Sequence, residues 1–84
     1  MQVEKGGDVT KEYIIDSIYN LNHAIKKSLD VCYIGYEETD DDITELWVQK
    51  KDWSYYIDLL IESAIHLEEY ELCSELKEIK QKLI

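Results

Sequence analysis

Apolar residues in the N-terminal third of the chain recur at the spacing of an amphipathic helix. After the glycine pair at positions 6 and 7 they stand at Ile14, Ile18, Leu21, Ile25 and Leu29. Steps of three or four residues place such side chains on one face of a helix, and Asp8 or Thr10 can cap its first turn. The pattern predicts a first helix over roughly residues 10–29.

The C-terminal part of the chain, from Asp52 onward, carries two further apolar stripes. The first consists of Trp53, Tyr56, Ile57, Leu60, Ile61, Ala64 and Leu67, and the second of Tyr70, Cys73, Leu76, Ile79 and Leu83. One helix over 52–83 would be about 48 Å long at about 1.5 Å per residue, which is too long for a domain of 84 residues to cover. We therefore predict an antiparallel helical hairpin that begins at a capping Asp52 and turns near residues 66–69.

The segment before the helical hairpin, residues 31–49, supports two interpretations. "VCYIGY" (31–36) and "TELWVQ" (44–49) are rich in β-branched and aromatic residues, which is typical of a β-hairpin. However, seven residues separate them, whereas hairpin loops usually have about two to five residues, and "DDITELWVQ" can instead begin a short aspartate-capped helix. The helical or irregular interpretation is preferred, and the β-hairpin is the alternative.

The predicted fold class is accordingly all-α: a small domain of three to four helices with a C-terminal helical hairpin and an acidic crossover. The chain, residues 1–84, is predicted to form a single domain, with residues 1–9 as a flexible N-terminus. With 45% apolar residues, three glycines and no proline, the composition is that of a folded protein rather than a disordered one.

The charge balance restricts the kind of partner. The net charge is −10, from 19 acidic residues and nine bases, and all nine bases are lysine. The lysines are scattered, and the chain lacks arginine, the residue that binds phosphate in a bidentate fork, so direct nucleic-acid binding is disfavoured. An electropositive protein is the favoured partner, because opposite electrostatic fields accelerate encounter.

Two acidic regions are candidate partner-binding sites. "EETDDDITE" (37–45) has six carboxylates, and the stretch from Asp52 to Glu75 has seven acidic residues and no base. Tyrosine and tryptophan, which lie near both regions, are enriched in interface hot spots. The predicted partner-binding set is Glu37, Glu38, Asp40, Asp41, Asp42, Glu45, Trp47, Trp53, Tyr55, Asp58, Glu62, Glu68 and Glu69. The alternatives are a solvated charged surface and a tyrosine-rich core.

Catalytic, metal and cofactor sites are not predicted. Read as a calcium loop from Asp40, the acidic run has Glu45 where glycine is required and Lys51 where a bidentate glutamate is required. The histidines and cysteines lack the short ligand spacing of zinc sites, and no phosphate-binding loop or nucleophile motif occurs. We expect a protein that is not an enzyme and that uses no cofactor.

Membrane insertion and secretion are also disfavoured. No apolar run approaches the length of a membrane-spanning helix, about 20 residues, and "MQVEKGGDVTK" lacks the apolar region of a signal peptide. Two cysteines do not constitute a disulfide framework. The expected location is the cytoplasm, where both thiols stay reduced.

The last part of the chain resembles a known interaction motif. "EYELCSELKEIKQKL" (69–83) resembles the second helix of the UVR motif, a short helical hairpin of nucleotide-excision-repair and clamp-type stress proteins. The matching positions are Glu69, Tyr70, Glu71, Cys73, Ser74, Glu75, Leu76, Lys77 and Glu78, with Ile61 and Ala64 upstream. The motif usually has arginine at the position of Lys77 and an apolar residue at that of Lys80. Over residues 56–83 the resemblance implies a hairpin for protein–protein interaction without catalysis.

The leading functional hypothesis is a non-catalytic binding protein that regulates or inhibits a partner by occluding it. The partner is expected to be a basic protein that handles nucleic acid. The carboxylates would imitate phosphates, as in phage anti-host or anti-defence proteins and nuclease-immunity proteins, a placement that rests on size and charge. The alternative is a structural or adaptor subunit, or a homodimer, that uses the apolar face of the helical hairpin around Tyr56, Leu60 and Leu76.

Overall fold

The computed structural model describes residues 9–83 and shows a mixed α/β fold. The elements are α1 (Lys11–Lys26), β1 (Val31–Glu38), β2 (Ile43–Gln49), a 3-10 turn (Lys50–Asp52), α2 (Trp53–His66) and α3 (Tyr70–Lys82). The predicted all-α class is wrong, because β1 and β2 form a two-stranded antiparallel sheet. Residues 1–8, which include the predicted cap Asp8 and most of the predicted flexible N-terminus, lie outside the described residues.

The first helix forms where the apolar pattern places it, but it is shorter than predicted. Its N-terminus is fixed by Thr10, whose hydroxyl oxygen accepts a hydrogen bond from the Tyr13 amide at 3.1 Å. Its C-terminus is closed by Ser28 in the left-handed region (φ 56°) and by the Leu29 amide, which donates to the Ala24 carbonyl at 2.9 Å. This closing motif turns the chain out of the helix before Leu29.

The predicted helical hairpin is present, with α2 and α3 joined by a three-residue turn. The two helices are antiparallel, since Lys80 near the end of α3 contacts Asp58 in the first half of α2, and the Cys73 thiol lies 3.8 Å from the Ile61 carbonyl oxygen. Asp52 stands directly before α2 as predicted, yet its side chain makes no capping hydrogen bond. The largest fully buried side chains of the core are Trp53, Ile14, Leu21, Ile57, Leu60, Leu76, Cys32 and Ser17.

The loop of the β-hairpin explains why the helical interpretation of residues 31–49 is wrong. Glu37 and Glu38 belong to β1 and pair with residues of β2, so the loop has four residues instead of seven. Thr39 and Asp42 close this loop: the Thr39 amide donates to the Asp42 carbonyl at 2.8 Å, and the Asp42 amide donates to the Thr39 hydroxyl oxygen at 3.2 Å. The strand tolerates its two glutamates because this end of the sheet is exposed on both faces.

A one-residue bulge in β1 determines which side chains share a face of the β-hairpin. Tyr33 pairs with Trp47, but the next pair involves Gly35, so the register skips Ile34. Gly35 is buried and has a φ of 143°, a conformation that a residue with a Cβ atom adopts only under strain. The bulge interrupts the alternation of side chains along β1 and places Tyr33 and Tyr36 on the same face.

The turn between α2 and α3 is closed by Glu68 in a left-handed conformation, with a φ of 60°. The Glu69 amide donates to the Ala64 carbonyl at 2.8 Å, in a helix-ending motif whose left-handed position favours glycine.

Replacement of Glu68 by glycine is expected to stabilise this turn. The left-handed conformation costs about 1–2 kcal/mol, which exceeds the entropic disadvantage of glycine in the unfolded chain, about 0.4–1 kcal/mol. We expect Glu68→Gly to raise the free energy of unfolding, measured by urea denaturation, by about 0.5–1 kcal/mol.

The matched control is Glu68→Gln, which removes the same charge but keeps the Cβ atom. We expect its free energy of unfolding to stay within about 0.5 kcal/mol of the wild-type value. If both variants raised the free energy of unfolding equally, the left-handed conformation of Glu68 would not be the cause. The gain would then come from relief of repulsion among neighbouring acids.

Candidate protein-binding surface

The outer face of the β-hairpin combines exposed aromatic, aliphatic and acidic side chains. The opposite, inner face carries Cys32 and Val48, which pack against the core. The strand pairing places on the outer face Tyr33, Tyr36, Glu38, Ile43, Glu45 and Trp47. Ile43 and Trp47 are exposed although they are large and apolar, and a cluster of such side chains with a polar rim is typical of an interaction surface.

Tyr33 and Trp47 form an aromatic pair on this outer face. Their ring centroids lie 5.2 Å apart and their planes meet at 71°, the edge-to-face geometry that aromatic quadrupoles favour. The Trp47 indole N–H donates to Oε2 of Glu45 at 3.2 Å. The pair therefore presents ring surface beside a carboxylate, and Trp47 remains 52% exposed.

The tip of the β-hairpin concentrates negative charge. Asp40 and Asp41 are exposed at the end of the loop. Asp42 has a second role, because its Oδ1 accepts a hydrogen bond from the Ile43 amide at 2.8 Å and so holds the loop in shape. Within residues 9–83, no lysine forms an ion pair with a carboxylate of the β-hairpin.

The predicted binding acids are divided between the β-hairpin and the helices. The β-hairpin carries Glu37, Glu38, Asp40, Asp41, Asp42 and Glu45. On the helices, Asp58 accepts a hydrogen bond from Lys80 Nζ at 2.6 Å, and the Glu69 carboxylate lies 3.6 Å from Lys11 Nζ. Exposed ion pairs contribute only about 0–1 kcal/mol to stability, but the two lysines offset the negative charge that Asp58 and Glu69 present at the surface.

The remaining predicted contacts have different environments. Trp53 is 1% exposed, and its indole N–H donates to the Val48 carbonyl at 2.9 Å. It is therefore a core residue and is not available to a partner. Tyr55, Glu62 and Glu68 are exposed, the first two on α2 and the third in the turn after it.

Two cavities adjoin these surfaces. One, of about 170 Å³, lies beside Tyr33 and Trp47, and its other lining residues include His23, Leu29, Val31 and Cys32. The second, of about 610 Å³, is lined by Val9, Leu59, Glu62, Ser63, His66 and Leu67. In the part of the chain that the structure describes, no three histidine, cysteine or acidic side chains are placed to hold a metal ion.

The buried titratable groups serve packing and hydrogen bonding. The hydroxyls of Ser17 and Tyr56 lie 2.8 Å apart, and Tyr56 donates to the Tyr13 hydroxyl oxygen at 2.9 Å. Burial raises the pKa of both tyrosines, and it raises the pKa of the Cys32 thiol to about 11. The raised pKa values keep all three groups protonated at neutral pH.

Three residues of the outer face are absent from the predicted partner-binding set: Ile43 and the two tyrosines Tyr33 and Tyr36. Simple alternation along a strand would place the two tyrosines on opposite faces, since they are three positions apart. The signal that could have brought them together is Gly35, because an isolated glycine inside a strand pattern is typical of a bulge.

Each helix within residues 9–83 falls short of the length or the apolar character that crossing a bilayer requires.

Comparison with known proteins assigns no function to this surface. The resemblance of residues 56–83 to the UVR hairpin stays a prediction, because no family model, curated protein or solved structure matches the chain.

Proposed function

We propose that this protein is a non-catalytic binding protein that inhibits or regulates a basic partner by occluding it with the β-hairpin. The observation that carries the proposal is the outer face, where the exposed Trp47 packs against the half-buried Tyr33, adjoins Glu45 and leads to an acidic tip. The expected partner is a protein that handles nucleic acid, because such proteins have basic clefts that the hairpin carboxylates complement.

The shape of the β-hairpin suits insertion into a cleft. Its strands extend about 23 Å from base to tip, at about 3.3 Å for each of seven residue steps. The tip half is exposed on both faces and therefore projects from the body of the protein. In this mechanism the carboxylates accelerate encounter, and Trp47 and Ile43 supply apolar area that becomes buried in the complex.

The proposal is narrower than imitation of phosphates by both acidic regions. On the helices, Asp58 and Glu69 are paired with lysines, while Glu62 and Glu68 are exposed. We assign the imitation to the β-hairpin because its carboxylates lie beside the exposed apolar side chains of Ile43 and Trp47. Membership of the phage anti-host, anti-defence or nuclease-immunity class is the most specific form of the proposal and rests on size and charge. A cytoplasmic location belongs to it as well, since Cys32 and Cys73 are buried free thiols, the form that a reducing compartment maintains.

Self-association through α2 is the second candidate function. The face around Leu60 and Leu76 is buried within the core and cannot serve this purpose. Exposed apolar side chains remain at Leu59, Ile65 and Leu67, and two of them, Leu59 and Leu67, line the cavity of about 610 Å³. Sedimentation at several protein and salt concentrations separates the two functions, because association through apolar contacts does not weaken as NaCl is raised.

The charge of the hairpin tip provides the direct test of the proposed function. We expect the double variant Asp40→Lys/Asp41→Lys to bind its partner at least about tenfold more weakly at low salt, because rim charges control the rate of association. Its free energy of unfolding should stay within about 0.5 kcal/mol of wild type, since Asp42 keeps its structural hydrogen bond. The partner is isolated from the native host by co-precipitation, identified, and titrated by calorimetry at low and high NaCl.

The matched control is Asp16→Lys/Glu78→Lys, which changes the net charge by the same amount at exposed positions of α1 and α3. We expect this control to bind almost as tightly as wild type. Equal weakening by both variants would assign binding to total charge rather than to the hairpin. Full binding by the tip variant would show that the proposed function is wrong.

A further inference from the structure

We propose that the corner between the rings of Tyr33 and Trp47 binds an arginine side chain of the partner, with Glu45 as its counter-ion. The inference rests on the proposed function and names the group that the β-hairpin recognises. Because the ring planes meet at 71° with centroids 5.2 Å apart, both rings offer part of a face to one corner. The hydrogen bond from the Trp47 indole, 3.2 Å long, holds the Glu45 carboxylate at the edge of this corner.

The chemistry of the corner favours a guanidinium group over an ammonium group. Aromatic faces attract a cation that lies within about 6 Å of the ring centroid. A guanidinium group is planar and weakly hydrated, so it stacks on a ring while it donates hydrogen bonds to a carboxylate. The lysine ammonium is compact and strongly hydrated, and it loses more hydration in the same position.

The composition of the chain indicates that the occupant comes from another protein. All nine bases of the chain are lysine, so neither this chain nor a second copy supplies an arginine. A net charge of −10 also opposes the approach of a second copy. The corner therefore suits an arginine of an electropositive partner.

The cavity beside the rings has the size of one side chain. Its volume is about 170 Å³, below the range of about 300–1,000 Å³ that is usual for pockets that hold small molecules. Leu29 and Val31 contribute apolar walls, which suit the methylene stem of an arginine. Interface anchors typically occupy pockets of this kind at the centre of a contact surface.

Short peptides test the corner without knowledge of the natural partner. The isotope-labelled full chain is titrated with acetyl-Gly-Arg-Gly-Arg-Gly-amide and with versions that carry lysine or neutral citrulline in place of arginine. The arginine peptide should shift the NMR signal of the Trp47 indole and leave that of the buried Trp53 indole unchanged. We expect it to bind about two- to fivefold more tightly than the lysine peptide, and the citrulline peptide should give no shift.

Three variants assign the binding to individual groups. Trp47→Ala and Glu45→Gln should each weaken binding of the arginine peptide about two- to fivefold. Tyr70→Ala, which removes an exposed tyrosine of α3, should leave the affinity unchanged. An unchanged Trp53 indole signal shows that a variant is folded, and Glu45→Gln keeps the size of the side chain if Trp47→Ala perturbs the hairpin.

The outcomes separate this inference from the proposed function. Equal affinity for the arginine and citrulline peptides, or undiminished affinity in both Trp47→Ala and Glu45→Gln, overturns the arginine corner. Equal affinity for the arginine and lysine peptides overturns the preference for arginine. In each case the proposed function still stands if Asp40→Lys/Asp41→Lys binds the natural partner more weakly than the wild type does. If that variant binds the partner as tightly as the wild type, the proposed function is rejected whatever the peptides show.

Discussion

Replacement of Gly35 by valine is expected to lower the free energy of unfolding by about 2–6 kcal/mol. Gly35 has a φ of 143° and is buried at the bulge of β1. The positive φ costs a residue with a side chain about 1–3 kcal/mol, and forcing extra atoms into a packed site costs about a further 1–3 kcal/mol. Because small domains have a total stability of about 5–15 kcal/mol, this one change removes a large part of it.

Urea denaturation followed by circular dichroism measures the effect of the valine. Gly35→Ala should give a smaller loss, because alanine meets the same backbone strain with less volume to accommodate. Thr44→Val serves as the control in the neighbouring strand, since Thr44 is exposed and its replacement should change stability by no more than about 0.5 kcal/mol. If the free energy of unfolding of Gly35→Val equalled that of the wild type, a positive φ at this position would be contradicted.

Replacement of Trp53 by alanine is expected to lower the free energy of unfolding by about 3–5 kcal/mol, the usual loss for a large buried aromatic residue. Trp53 is 1% exposed, and it joins the start of α2 to β2 through the hydrogen bond of its indole N–H to the Val48 carbonyl. Trp53→Phe keeps most of the volume but removes the indole N–H that donates to this carbonyl. We expect it to lower the free energy of unfolding by about 1–3 kcal/mol.

The other tryptophan provides the matched control for Trp53. Trp47 is 52% exposed, and Trp47→Phe keeps an aromatic ring opposite Tyr33. We therefore expect this variant to lower the free energy of unfolding by no more than about 0.5 kcal/mol. Urea denaturation of the two phenylalanine variants compares the sites directly. Similar losses at both positions would contradict the different burial of the two tryptophans.

The helices could be predicted because their apolar residues follow one period over many turns. Thr10 is one of the two caps that the sequence offers for the first helix, and the turn between α2 and α3 follows from the limited size of the domain. Trp53 belongs to the apolar stripe of α2, and such a stripe typically faces the core. Its assignment to a binding surface failed because residue-type enrichment at interfaces does not show which tryptophan is exposed.

The β-hairpin and the distribution of free charge were harder to predict. The stretches rich in β-branched and aromatic residues end at Tyr36 and resume at Thr44, so the sequence places Glu37 and Glu38 in the connection and makes it look too long for a hairpin loop. The hydrogen bonds between Thr39 and Asp42 are typical of turns and could have indicated the shorter loop. The lysine partner of Asp58 depends on how the helices pack, and no local sequence pattern contains that information.

The bulge at Ile34 has a consequence for how the chain can change in length. Deletion of Ile34 itself would leave every pair between β1 and β2 intact, because this residue is the one that the register skips. Deletion at Tyr36 would instead invert the orientation of every following side chain of β1 up to the loop. We therefore expect a single-residue gap in β1, in proteins that diverged from this one, to fall at Ile34.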